Sequence, residues 1–370
     1  MNDVYGFPLR SPPAMMLGEG QDKSAEEKRR QCDEDEKHYR KKWEKEWPAP
    51  LKGVVPKLST DPGGGGSGGG GGGAFGGVAA WLRFRHLKSM CRQGVPAPFR
   101  RVVWYEASGA ARIAREESAH VQYGLLSSDG AEHENQIELD LPRTFPDHPW
   151  YQSEGGQSAL RRVLVAVSKY CKDTGGYCQS MNYIGAFLLL AMDKEEEKVF
   201  WVMVCVIREK VLSSTWSKHL SGCLIEMDTL GTLLRKREPR VAQHLEAIGC
   251  DVSYFSTDWF LCLYCKSLPS ETVARIWDSF LLEGPKVLFR VALAIIKLSK
   301  KQVLACTNPG DVLTTLKGAQ SALHDRCKLM DLAFNGLGSL PIQKIQKYRS
   351  RSKLEVDTTL SKRGSYGKED

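Results

Sequence analysis

The chain reads as an all-α protein, and three observations predict this. Apolar residues recur every three to four positions through most segments from about residue 80 to residue 340. Two stretches, "QSMNYIGAFLLLAM" and "EEKVFWVMVCVIREKVL", are apolar nearly all round, as central buried helices are. No run of strand length alternates apolar and polar residues.

Residues 1–60 form a charged N-terminal segment. Within "DKSAEEKRRQCDEDEKHYRKKWEKEW" (22–47), Glu and Lys/Arg recur at i,i+4, which supports a solvated helix. Tyr39, Trp43 and Trp47 share one face of it. That stripe docks either on the chain's own globular part, the expected case, or on a partner. "GGGGSGGGGGGAFGG" (Gly63–Gly77) cannot hold regular structure and predicts a flexible linker over 61–79. It lacks the GxxxxGK[ST] order of a phosphate-cradling loop.

The globular domain is assigned to 80–340. "APFRRVVWYEASGAARIAREESAHVQYGLL" gives one or two helices, and "GGQSALRRVLVAVSKYC" is amphipathic through Leu160, Val163, Leu164, Val167 and Cys171. "HLSGCLIEMDTLGTLLRKREPRVAQHLEAIG", "DWFLCLYCKSL", "PSETVARIWDSFLLEG" and "PKVLFRVALAIIKLSKKQVL" continue the helical pattern. "PSET" (Pro269, Ser270, Glu271) and "NPGD" (Asn308, Pro309, Asp311) carry helix-start chemistry. The polar, basic-leaning tail, 341–370, is expected to be disordered.

The chain has 370 residues, is 42% apolar and carries a net charge of +8. The excess is not gathered into one long basic run, so nucleic acid is not an expected partner. Eleven cysteines are scattered through the chain, and "MNDVYGFPLRSPP" is no apolar leader. The expectation is reduced thiols in a cytoplasmic protein. "CLYC" (Cys262, Cys265) has no second pair at zinc-site spacing and reads as buried helix thiols, not metal ligands. The longest apolar runs, Ile184–Met192 and Val199–Ile207, fall short of the roughly 20 residues a bilayer needs and predict core helices.

Two stretches carry candidate chemistry. "IELDLPRTFPDHPW" (Ile137–Trp150) cannot be helical, since Pro142, Pro146 and Pro149 push Leu141, Phe145 and His148 towards extended backbone. A stiff loop suits an arginine that must hold its aim, and Asp140 lies near enough to brace Arg143. Spacing alone favours an ordinary surface ion pair. "TGGYCQSMNY" (Thr174–Tyr183) breaks a helix with two glycines and presents Gln179 at the start of the next. Alone, Gln179 reads better as a helix-terminus hydrogen bonder. Together, an arginine and a glutamine on stiffened turns are the two groups phosphoryl hydrolysis uses: one neutralises charge on phosphoryl oxygens, the other orients water.

These stretches resemble the TBC-domain Rab GTPase-activating proteins. "IELDLPRT" is similar to that family's IxxDxxR motif, "YCQ" to YxQ, and "RRVVW" with "GVP" before it to RxxxW. "DWFLCLY", "LPSETVARIWDSFLLEG" and "GGYCQSMNYIGAFLLL" resemble further blocks in family order, over Met90–Lys300. "DVYGF" and the charged Trp-bearing segment look like the subgroup that includes growth-hormone-regulated TBC protein. The resemblance implies a multi-helix domain of two helical lobes. It implies Arg143 as an arginine finger and Gln179 as a glutamine finger that displaces the GTPase's own. Ile137 and Asp140 would anchor and brace the arginine loop, and Tyr177 would support the glutamine turn. Arg100 and Trp104 would pack near the site, and Trp259, Arg275, Trp277 and Asp278 would serve the core. The implied partner is a GTP-bound Rab that brings GTP and Mg²⁺ itself, so the chain needs no cofactor and has no reaction of its own. A monomer is expected, cytoplasmic and peripheral to trafficking membranes through the lipidated Rab. The alternative is a TBC fold that binds a Rab without accelerating hydrolysis. Ser180 stands where the family pattern has glycine and is expected to be tolerated as a helix-start residue.

Overall fold

The computed structural model describes residues 2–7, 21–46, 74–128 and 130–366, and its regular elements there are helices. Two helices, α1 (Gln21–Glu46) and α2 (Ala74–Gln93), precede the main body. The first lobe holds α3 (Ala97–Ser108), α4 (Ala110–Glu117), α5 (Tyr123–Leu126), α6 (Glu134–Asp140), α7 (Pro149–Gln152), α8 (Glu154–Tyr170), α9 (Met181–Ala191) and α10 (Glu196–Cys205). The second holds α11 (Ser221–Arg237), α12 (Pro239–Ala247), α13 (Ser253–Leu261), α14 (Ser270–Glu283), α15 (Lys286–Leu298), α16 (Lys300–Ala305), α17 (Pro309–Ser321) and α18 (Arg326–Asp331), and α19 (Ile342–Tyr366) closes the chain.

The nearly all-apolar stretches become α9 and α10, which pack on α8 at the centre of the first lobe. Helix α14 joins the lobes, packing on α2 and α3 on one side and on α15 and α18 on the other. The core is continuous across that junction, with Trp104, Phe187 and Trp277 in mutual ring contact.

Asp278 of α14 is the polar centre of this junction. Its buried carboxylate accepts from Arg100 Nε (3.1 Å) and Nη2 (3.2 Å), from Trp104 Nε1 (2.9 Å) and from the Val95 amide (2.9 Å). Arg275 donates to the carbonyls of Cys91 and Arg92, Trp277 to Leu263 O, and Trp259 to Gln320 Oε1. The four block residues thus lie in the core, each pinning one element to another.

The N-terminal aromatic stripe docks on the chain itself. Trp43 is buried and donates to Gly94 O at 2.8 Å, and Tyr39 is partly buried beside it; Trp47 lies outside the described residues. Part of the predicted linker, 61–79, proves helical, because α2 runs back to Ala74 through Gly76 and Gly77. Each glycine costs that helix about 1 kcal/mol relative to alanine, offset where Leu87, Met90 and Cys91 are buried further along. The rest of the predicted linker, 61–73, lies outside the described residues.

Two further expectations are corrected. The tail is helical as far as Tyr366, and residues 367–370 lie outside the described residues; Ile345, Arg349 and Ser352 form one buried stripe of α19 against α11. There Arg349 pairs with buried Glu226 (Nε to Oε2, 2.9 Å) and Ser352 donates to Asp228 at 2.5 Å. A stripe with a polar centre does not register as apolar periodicity. "CLYC" is also not helical, since α13 ends at Leu261 and Leu263 and Tyr264 take φ of +46° and +68°. Both thiols are buried all the same, which raises their pKa values. Of the predicted helix starts, Asn308 caps α17 through the Asp311 amide (3.0 Å), whereas Ser270 opens α14 and turns its hydroxyl to Asp3 instead.

Glu283 anchors α2 and α15 to the end of α14. It is buried and takes a two-pronged contact from Arg92 (2.5 and 2.7 Å), with Lys286 at 2.9 Å and Lys88 at 3.1 Å. Burial pushes its pKa up, but these cations outweigh burial and hold it at about 2, below the ordinary 4.5. A folded pKa below the unfolded one contributes stability that is present above about pH 4.5 and lost as pH falls towards 2. Urea unfolding should show wild type losing about 2 kcal/mol from this group between pH 5 and pH 3, a loss absent from Glu283→Gln.

Candidate functional site

Helix α6 ends at Asp140, and the loop to α7 carries Arg143. Ile137, fully buried, holds the last turn of α6 in the core, and its carbonyl accepts from the Leu141 amide at 3.0 Å. The first four residues of the proline-rich stretch are therefore helical, contrary to expectation, and Leu141 remains helical (φ −55°, ψ −55°) despite Pro142. Phe145, before Pro146, is not extended but left-handed at φ +46°. Its ring is held by Phe7 (4.8 Å) and Tyr183 (5.4 Å), so tertiary packing overrides the local preference. Only His148 takes the expected extended form (φ −89°, ψ 121°).

Arg143 is exposed, with 47% of its side chain in solvent. One edge of its guanidinium donates to Asp140 Oδ1, and no other side-chain hydrogen bond ties it among the described residues. Asp140 is fully buried and is satisfied on its other oxygen by the Tyr177 hydroxyl at 2.5 Å. Gln136 Nε2 approaches Oδ1 at 3.4 Å. Burial, reinforced by the hydrogen bond to Asp140, drives the Tyr177 pKa well up, so its phenol stays a donor. The carboxylate thus spans the two loops, one oxygen on each.

Gln179 sits on the second loop. A one-turn helix, Lys172–Thr174, follows α8; Gly175 and Gly176 then take φ of +106° and +67°. A Cβ on Gly176 would lie 2.9 Å from the His133 ring, so glycine is needed there for space as well as conformation. Gln179 is exposed, and its side chain makes no hydrogen bond to another described residue. Neighbouring Cys178 has its pKa pushed up to about 11 by burial and is a poor nucleophile.

Ser180 departs from expectation. It does not cap α9; it takes φ +109° and is buried, its Oγ accepting from Trp216 Nε1 at 3.2 Å. A side chain at this φ is strained, and glycine would not be.

A second tie between the loops was not foreseen. Asn182, fully buried in the first turn of α9, donates to Thr144 Oγ1 (2.7 Å) and accepts from the Ser180 amide (3.0 Å). Thr144 in turn donates to Asp140 O at 2.6 Å, and Tyr183 donates to Arg143 O at 3.3 Å. The available signal was an asparagine at the head of an otherwise apolar helix, since a buried amide demands partners.

Arg143, Gln179, Asp140, Ile137 and Tyr177 are therefore brought together. Arg100 and Trp104 belong instead to the Asp278 junction, which reaches the arginine loop through Tyr5: Arg100 donates to the Tyr5 hydroxyl, and His148 Nε2 lies 2.7 Å from Tyr5 O.

Residues 98–304 match the Rab-GTPase-TBC domain family. The chain is 35% identical over 278 residues to growth hormone-regulated TBC protein 1 of Xenopus tropicalis, covering 73% of this chain and 80% of that protein. It is 34% identical over 279 residues to TBC1 domain family member 2A of Mus musculus, covering 73% of this chain but only 30% of the longer relative. Among solved structures it is similar to the Chlamydomonas flagellar RabGAP TBC domain (TM-score 0.72, 33% identity, 92% of this chain and all of that one). The Ypt/Rab-GAP domain of Gyp1p shares the fold at 19% identity (TM-score 0.54, 74% of this chain and 93% of that one).

The loop ties make two stability predictions. Asn182→Ala leaves the buried Ser180 amide without its acceptor and should cost about 2 kcal/mol in urea unfolding. Ser180→Gly should be more stable than Ser180→Ala by about 0.5–1 kcal/mol, because relief at positive φ exceeds glycine's greater unfolded-state entropy.

Proposed function

The chain belongs to the Rab-GTPase-TBC domain family, and from that premise we propose that it accelerates GTP hydrolysis by a Rab-type GTPase, supplying Arg143 and Gln179 in trans. One observation carries the reading. Two solvent-facing side chains of the types phosphoryl hydrolysis needs stand on adjacent loops, and one buried carboxylate, Asp140, braces both loops.

In this reading the GTPase holds GTP and Mg²⁺, and this chain adds no cofactor. Arginine has five N–H donors, and Asp140 engages one edge only, so the remainder face outward for the phosphoryl oxygens. The guanidinium neutralises charge that develops on those oxygens as the bond to the leaving phosphate breaks. Gln179 places its amide against the attacking water. The Asp140 contact sets the guanidinium's direction before the partner arrives, which lowers the entropy lost on docking. No helix among the described residues is long and apolar enough to cross a membrane. Membrane contact in this reading comes through the lipidated GTPase, at trafficking membranes, with the chain acting as a monomer.

A binding-only role is the second reading, and one observation favours it. Ser180, buried and held at φ +109°, sets the backbone beside Gln179, so the glutamine is presented from a strained turn where the family pattern has a relaxed glycine.

Single-turnover hydrolysis by a panel of GTP-loaded Rabs separates the two. Wild type should accelerate one or a few of them strongly. Arg143→Ala should lose about 10³-fold or more of that acceleration, with Arg143→Lys recovering little because lysine lacks the planar fork. Gln179→Ala should also lose most of it. Full activity in Arg143→Ala overturns the mechanism. GTP-dependent binding without acceleration establishes the second reading.

A further inference from the structure

The N-terminal peptide 2–7 lies far from Arg143 in sequence yet is built into its loop. Asp3 closes the peptide into a hook, its Oδ1 accepting from the Tyr5 and Phe7 amides (2.9 Å each) while the Ser270 hydroxyl donates to Oδ2. The hook enters the core through Tyr5, which is buried, takes a hydrogen bond from Arg100 and meets the Phe187 ring edge-on at 6.1 Å. Its other side grips the arginine loop. His148 Nε2 lies 2.7 Å from Tyr5 O, while His148 Nδ1 accepts from the Trp150 amide. That pairing makes Nε2–H the donor to the Tyr5 carbonyl. The Phe7 ring stands edge-on to both Phe145 and His148, with centroids 4.8 Å apart in each case. Phe145 is the left-handed residue two positions after Arg143, and without a packed ring nothing local would keep it there. Gly6, at φ +87°, admits the His148 ring: a Cβ there would lie 2.9 Å from Nε2.

We infer that Tyr5, Gly6 and Phe7 are positioning residues for the arginine loop, acting through His148 and Phe145 to hold the backbone that aims Arg143. The inference rests on the activity proposed above for its kinetic consequence, but its structural half stands apart. None of the three need touch a GTPase, so their loss should weaken the chemical step and leave docking unchanged.

The test is full-length Phe7→Ala beside wild type and Phe7→Tyr, with melting temperature measured to exclude global unfolding. Hydrogen–deuterium exchange reads the loop directly, since the Thr144 and His148 amides are bonded to Leu141 O and Phe145 O. Phe7→Ala should exchange faster at these amides, by about tenfold, at an unchanged rate in α8 and α15, and Phe7→Tyr should restore protection. With the GTP-loaded Rab that wild type accelerates most, Phe7→Ala should lower kcat by about tenfold or more with KM within a factor of two. Unchanged exchange at Thr144 and His148 overturns the inference. Raised KM with unchanged kcat also overturns it, and makes the peptide a docking surface. If wild type accelerates no Rab while Phe7→Ala still loosens the loop, the positioning role stands and the proposed activity fails.

Discussion

The carboxylate of Asp278 is the interaction on which the arrangement depends. A buried carboxylate is costly unless its oxygens are filled, and burial alone pushes its pKa up. Here α3 answers with Arg100 and Trp104, and the turn between α2 and α3 adds the Val95 amide. Satisfying one acid therefore sets the crossing of α3 on α14 and the entry of α2. Arg100 also reaches the Tyr5 hydroxyl, so the N-terminal peptide is registered on the same charge pair. Each lobe is helical by its own apolar pattern; their mutual placement needs this polar centre.

The candidate site repeats the device on a smaller scale. Asp140 is another fully buried carboxylate whose two oxygens serve two different loops. It differs from Asp278 in having a partner, Arg143, that remains half in solvent. The buried side of the pair supplies rigidity, and the exposed side leaves a guanidinium open to solvent. Thr144 and Asn182 complete the link behind it, so that neither loop can shift without disturbing buried hydrogen bonds in the other.

Much of this was legible in the residues. Helical periodicity gave the central helices, the stripe of Tyr39 and Trp43 pointed to self-docking, and the family resemblance drew attention to the two loops that Asp140 joins. What was missed shares a cause. Helix α19 docks through Arg349 and Ser352, whose partners Glu226 and Asp228 lie more than a hundred positions away. Leu141 stays helical before Pro142, and Phe145 turns left-handed before Pro146, because long-range bonds and ring packing override rules that consider only adjacent residues. The helical start of α2 inside the glycine-rich run belongs with them, since burial further along sustains it. Pairing across the chain leaves no periodic mark, and glycine-free positive φ leaves none at all.

Both candidate loops contain such a residue, Phe145 on one and Ser180 on the other, each a side chain where glycine would be at ease. Their shape is therefore borrowed from the body of the domain. An excised peptide spanning Ile137–Trp150, or the same segment transplanted onto a foreign scaffold, would carry every motif residue and relax out of its conformation. The arginine loop is not a portable cassette. Its transferable unit is the domain together with residues 2–7, which clasp it.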